Sequence, residues 1–238
     1  KDAADTADTL WWKQFQDPVL DQLIAEGLAH NSNIAIAAAN VEQAAAVLTQ
    51  TRSQLFPQLG YGASGERQRS LEPAFAALLR DYPNPSTAYQ AGLSASWEID
   101  LWGRIRRQSE AALANLLATD EARRGVILSL VASVANSYLQ LRGLDAQLQV
   151  ARKTLSTYGE SVRLFELQFK YGQVSKLNVV QAQSQYESAA AQIPLLESQI
   201  AQNQNALAVL IGRDPGPIAR GKSVDELALP PVPAGLPS

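Results

Sequence analysis

Glu98 and Asp100 are the residues whose type and spacing come closest to a catalytic arrangement. Two positions apart in an alternating segment, their carboxylates project from one face of a strand. There, unequal surroundings could split such a pair into an acid and a base. No histidine or positioned nucleophile accompanies them, and a polar strand face accounts for both. His30 is the single histidine, which excludes a His-rich metal site. Its place at the end of a helical pattern, where a cation is favoured, is explanation enough. Without cysteine there is no thiol nucleophile, disulfide or Cys-based metal site. Phosphate-loop, HExxH, GxSxG and CxxC patterns are missing too. The chain reads as a non-enzyme that needs no cofactor.

Composition narrows the class further. Of 238 residues 46% are hydrophobic, but Phe, Tyr and Trp reach only 7%, and the rest is largely Ala, Leu and Val spread through Gln-rich segments. A globular core of this size usually uses larger side chains. A net charge of −3 gives no basic face for nucleic acid. No apolar run reaches the length of a membrane-spanning helix. The chain opens on Lys1 and stops at Ser238 after a Pro-rich stretch, so a removed leader and a downstream cut are both expected.

Two periods organise the rest. Asp17-Pro18 opens a short helix running to about His30, and Asn31 or Ser32 caps an Ala-rich helix that Phe56-Pro57 stops. Period 2 follows. Leu59, Tyr61, Ala63 and Gly65 alternate with polar or small residues. So do Tyr89, Ala91, Leu93, Ala95, Trp97 and Ile99, interleaved with Gln90, Gly92, Ser94, Ser96, Glu98 and Asp100. Each segment has about the 9–11 residues a tilted strand needs to cross a bilayer. Residues 69–86, with Pro73, Pro83 and Pro85, form the loop between them.

From Gly103 the period becomes helical. Leu130, Val134, Ser137, Leu141, Leu144, Leu148, Ala151, Leu155, Tyr158, Val162, Phe165 and Phe169 advance by alternating steps of four and three, a coiled-coil seam. Gly172 ends that helix and Ser175 caps the next. Its seam is Val179, Ala182, Tyr186, Ala189, Ile193, Leu196, Ile200, Asn203, Leu207 and Leu210, and Pro194 should bend it without ending it. Asn203 either fixes register or faces a tunnel. Gly125, Gly143 and Gly159 are expected to permit close helix approach. A helix over 103–171 would be roughly 100 Å long, and one over 175–211 roughly 55 Å.

The expected fold is therefore mainly α with a β-hairpin: residues 1–57 an N-terminal segment with two helices, 58–100 the hairpin, 101–212 a long antiparallel helical hairpin and 213–238 a Pro-rich tail. A lone hairpin cannot sit in lipid with unpaired edges, so copies must close a barrel, with the helices closing a second barrel on the same axis.

Four stretches, LWWKQFQDPVLDQLI (10–24), LFPQLGYGASGERQR (55–69), SWEIDLWGRIRRQSEAA (96–112) and YGQVSKLNVVQAQSQYESA (171–189), resemble the TolC-like outer membrane factors of the NodT lineage, with NQNALAVLIGRDP (203–215) in support. The resemblance implies a homotrimer whose protomers carry two repeats, with a β-barrel in the outer membrane of a Gram-negative bacterium and a helical tunnel through the periplasm. It also implies docking to an inner-membrane pump through a periplasmic adaptor, with passive export of drugs or other small molecules. A second repeat, which in the family carries the gate, and the lineage's lipidated N-terminal Cys are both missing, so lipidation stays open.

On that reading Tyr89, Ala91, Leu93, Ala95 and Trp97 face lipid, and Gln90, Ser94, Ser96 and Glu98 face the lumen. Tyr171, Gly172, Gln173, Val174, Ser175 and Lys176 form the adaptor-contacting tip, against the alternative of a plain helical turn. Trp97, Trp102, Arg104, Arg106 and Arg107 are either a girdle with head-group contacts or core tryptophans beside a solvated helix start. A soluble periplasmic coiled-coil adaptor is the rival reading; it explains the heptads and leaves the alternation at 89–100 without a cause.

Overall fold

The computed structural model describes residues 10–69 and 85–228. The expected loop over 69–86, apart from its ends, and the end of the Pro-rich tail lie outside them. The elements are a 3-10 turn Trp11–Phe15, α1 Pro18–His30, α2 Ser32–Ser53, β1 Gln58–Gln68, β2 Ser86–Ser96, α3 Arg104–Lys170, α4 Lys176–Leu210 and a 3-10 turn Val224–Glu226. Among the described residues no helix is long and apolar enough to cross a membrane.

The caps explain the boundaries. Asp17 accepts from the Val19 amide at 2.9 Å to open α1, with Pro18 pre-set for the first turn. Asn31 is the cap that opens α2, its Oδ1 accepting from the Asn33 amide at 2.8 Å. At its far end α2 tightens into three successive i to i+3 bonds, from Gln54, Leu55 and Phe56, before Pro57. α3 runs 67 residues without a break, and α4 continues through Pro194.

Two compact units divide the chain. One comprises Lys1–Ala39 with Glu121–Ser238, the other Asn40–Asp120. In the first, Leu20, Leu23 and Ile24 of α1 pack with Val134, Tyr138 and Leu141 of α3 and with Leu207, Ala208 and Ile211 at the end of α4. The α4 seam is buried or half-buried at every position, Asn203 included. On α3 only Phe169, next to the turn, is exposed. Heptad spacing thus selects the face that is removed from water. The expected role of the helix glycines holds only in part. A side chain at Gly159 would meet the Tyr186 ring at 3.4 Å, whereas among the described residues nothing beyond the helix's own backbone lies within 4 Å of that point at Gly125 or Gly143.

In the second unit the buried hydrophobic residues, among those described, are Ala44, Leu48 and Ile105. Phe56, Leu59, Tyr61, Tyr89, Leu93, Trp97, Ile99, Leu101 and Trp102 are all exposed. More large apolar surface faces outward here than inward, which marks an interaction surface in a stably folded protein.

Candidate functional site: the strand hairpin, its junction and the helical tip

β1 and β2 pair antiparallel, and their register decides what the hairpin can do. Leu59 lies opposite Ala95, Tyr61 opposite Leu93, Ala63 opposite Ala91 and Gly65 opposite Tyr89. A slip of one residue would scatter these across both faces. Instead the apolar set of each strand shares one face, and Gln58, Gly60 and Ser64 lie opposite Ser96, Ser94 and Gln90 on the other. The Tyr89 ring lies over Gly65, about where a side chain would stand, covering backbone that glycine leaves bare. Tyr61 and Leu93 are each 91% exposed. Among the described residues, neither edge of the two-stranded sheet is paired.

The strand stops at Ser96, short of the expected reach to residue 100. Trp97 and Glu98 thus lie just beyond its end. Trp97 donates from its indole Nε1 to the Leu55 carbonyl at 3.1 Å, tying the end of β2 to the segment before β1. Glu98 receives two hydrogen bonds from Arg104, 3.0 Å from Nε and 2.6 Å from a terminal nitrogen. Asp100 accepts from the Arg106 amide at 3.0 Å and so caps the start of α3.

These partners fix the protonation of both carboxylates. The Arg104 hydrogen bond holds Glu98 below the ordinary carboxylate range, outweighing desolvation. Desolvation alone would raise Asp100, but the amides of Arg106 and Ile105, with the Arg106 side chain and its charge, lower the group overall. Neither retains a proton near neutrality, so neither serves as a general acid. Gly103, with φ of 77°, lets the chain turn from Trp102 into α3.

At the other helical end, Gly172 takes φ of 71°. Its amide donates to the Phe169 carbonyl and the Gln173 amide to that of Gln168, both at 2.9 Å, which is the Schellman closure of α3. Ser175 occupies the cap position of α4, but its hydroxyl donates to Asn178 Oδ1 at 3.0 Å instead of accepting from a helix amide. The two helices thus turn on five residues, with Tyr171 69% exposed and Leu177 64% exposed beside it.

One cluster escaped the sequence reading. Asp17 and Tyr138 are buried together, and Tyr138 donates to Asp17 Oδ2 at 2.6 Å. The Gly221 amide donates to the Tyr138 oxygen at 3.0 Å and the Lys222 amide to Asp17 Oδ2 at 3.1 Å. The segment after α4 is thereby fastened to the start of α1 and the middle of α3. Arg142 and Arg220 share Asp145 alongside it.

A family model described as outer membrane efflux protein matches residues 23–213. The chain is 38% identical over 228 residues to the solvent efflux pump outer membrane protein SrpC of Pseudomonas putida, covering 94% of this chain and 47% of that one. It is 35% identical over 239 residues to the cation efflux system protein CusC of Escherichia coli, covering 99% and 50%. A CusC crystal structure superposes with a TM-score of 0.79 at 33% identity, covering 96% of this chain and 52% of the other. The outer membrane protein VceC of Vibrio cholerae gives 0.77 at 26% identity, covering 93% and 53%. This chain spans about half the length of the relatives it matches.

Proposed function

This chain belongs to the outer membrane efflux protein family, and we propose that it forms one structural repeat of a passive export conduit for drugs or other small molecules. The register of β1 and β2 carries the reading, because it gathers the apolar residues of both strands onto one exposed face. Tyr89, Ala91, Leu93 and Ala95 face lipid, and Gln90, Ser94 and Ser96 face the lumen. Hydrocarbon offers no partner to a bare sheet edge, so this hairpin enters the membrane only when sister strands close a barrel. A homotrimer of the full-length protein supplies them.

α3 and α4 form the periplasmic part, where neighbouring copies complete the helical wall. The turn Tyr171 to Lys176 is the contact for a periplasmic adaptor, which links the conduit to an inner-membrane pump that provides the energy. Support comes from its exposed Tyr171 and Leu177 on a backbone held by the Gly172 closure. Flotation of membranes containing the full-length protein, followed by chemical cross-linking, tests this reading. A trimer that floats with outer-membrane lipid is expected; a protein that stays wholly soluble overturns it.

A further inference from the structure

The apolar face of the hairpin ends on a positive charge at the side away from the helices. Its odd-numbered series on β1 runs Leu59, Tyr61, Ala63, Gly65 and then Arg67, which lies opposite Thr87. Arg69 follows just past the strand. Both arginines are exposed, and among the described residues neither has an ion-pair partner. Glu66 belongs to the other face, opposite Ala88, so Arg67 is not neutralised on its own face.

Height explains why an arginine is tolerated there. Arg67 stands eight residues beyond Leu59 on β1, about 26 Å along a strand at roughly 3.3 Å per residue. A tilt of about 40° reduces this to about 20 Å, against an apolar band about 25 Å tall in outer-membrane barrels. Charge on the lipid face is destabilising at the bilayer midplane and nearly neutral at the interfaces. The opposite end of the hairpin leads into α2 and α3, so Arg67 reaches the outer interface.

The chemistry at that end suits phosphate. A guanidinium presents a planar fork that pairs with two oxygens of one phosphate group. Tyr89, one pair nearer the membrane centre on the same face, adds a phenol hydroxyl. We infer that Arg67, with Arg69 and Tyr89 beside it, binds the phosphate groups of the anionic glycolipid of the outer leaflet, phosphorylated lipid A. This rests on the hairpin being transmembrane, and it adds the lipid that its outer end selects.

The test titrates the purified full-length trimer with diphosphoryl lipid A, with lipid A stripped of phosphate and with inorganic phosphate, reading occupancy by native mass spectrometry. Wild type should bind the phosphorylated lipid more tightly than the stripped one. Arg67→Gln should weaken that binding about fivefold, and Arg67→Gln with Arg69→Gln about thirtyfold. Glu66→Gln, on the lumen face, should not weaken it. Equal binding of the two lipids by wild type overturns the site without recourse to any variant. So does a double variant that inserts and binds like wild type, or a loss in Glu66→Gln as large as in Arg67→Gln. Inorganic phosphate held as tightly as the lipid would assign the arginines to a free anion and overturn the lipid site. Flotation of the same trimers with phosphatidylcholine vesicles separates this from the hairpin reading. A wild-type trimer that floats but ignores lipid A phosphate leaves the hairpin standing, whereas one that stays in solution removes the hairpin and the site together.

Discussion

Tyr138 donates a 2.6 Å hydrogen bond to Oδ2 of Asp17, joining two buried residues 121 positions apart in the chain. Asp17 also accepts from the amides of Val19 and Lys222, so one carboxylate ties three segments together. A hydrogen bond to a charged group is worth about 1.5–3 kcal/mol. Tyr138→Phe should destabilise the full-length protein by roughly that amount, read as a lowered thermal midpoint. Burial, and then the bond to Asp17, push the Tyr138 phenol up to about 12. Because the folded state favours the protonated phenol, this contribution is complete below the ordinary tyrosine pKa of about 10 and is lost as pH rises towards 12. The stability difference between wild type and Tyr138→Phe should shrink across that window.

Gly221 meets the same carboxylate from the other side. A side chain there would run into both oxygens of Asp17. Gly221→Ala should therefore lower the thermal midpoint, whereas Gly143→Ala, with open space around it on α3, should raise helix stability by up to about 1 kcal/mol. Loss of stability in Gly143→Ala would instead place a neighbouring subunit against that position.

The junction carboxylates should separate by role. Asp100→Ala removes the acceptor for the first amides of α3, and a lower thermal midpoint is expected. Glu98→Gln disturbs an exposed ion pair, and little change is expected. Both carboxyls titrate below their ordinary range, so their stabilising effect is present above about pH 4 and is lost on further acidification.

Gly172 tests the tip. Its positive φ strains any β-branched residue, so Gly172→Val should deform the turn and reduce drug export by the full-length protein. Gly172→Asn tolerates the same backbone and should retain export. Unchanged export in Gly172→Val would argue against an adaptor contact at this turn.

Much of the fold was legible because its periods are long and uninterrupted. The seams at 130–169 and 179–210 identified α3 and α4, the period change at Gly103 with Gly172, Ser175 and Gly212 placed their ends within one or two residues, and the alternation around Leu93 anticipated the shared apolar face. Where local geometry overrides period, periodicity overruns the element. Alternation continues to Asp100, but the backbone leaves the sheet at Ser96 because Trp97, Glu98 and Asp100 have partners in the preceding segment and in α3. The Asp17 cluster had no local signal, since its bonds reach Tyr138 and Lys222 across the whole chain. One clue was available. Val131, Ala135 and Tyr138 run beside the seam residues Leu130 and Val134, and all five are buried. A widened apolar stripe at that point marks where α3 also receives α1.

The face assigned to lipid is tested most directly by two neighbouring substitutions in the full-length protein, Leu93→Arg and Ser94→Arg, compared for insertion into the outer membrane. An arginine facing hydrocarbon near the bilayer midplane costs roughly 2–4 kcal/mol, while one facing a water-filled lumen costs little. Leu93→Arg should therefore deplete the trimer in outer-membrane fractions and Ser94→Arg should leave it near wild type. Equal insertion of the two variants, or a deficit confined to Ser94→Arg, would contradict the lipid-facing hairpin and the conduit built on it.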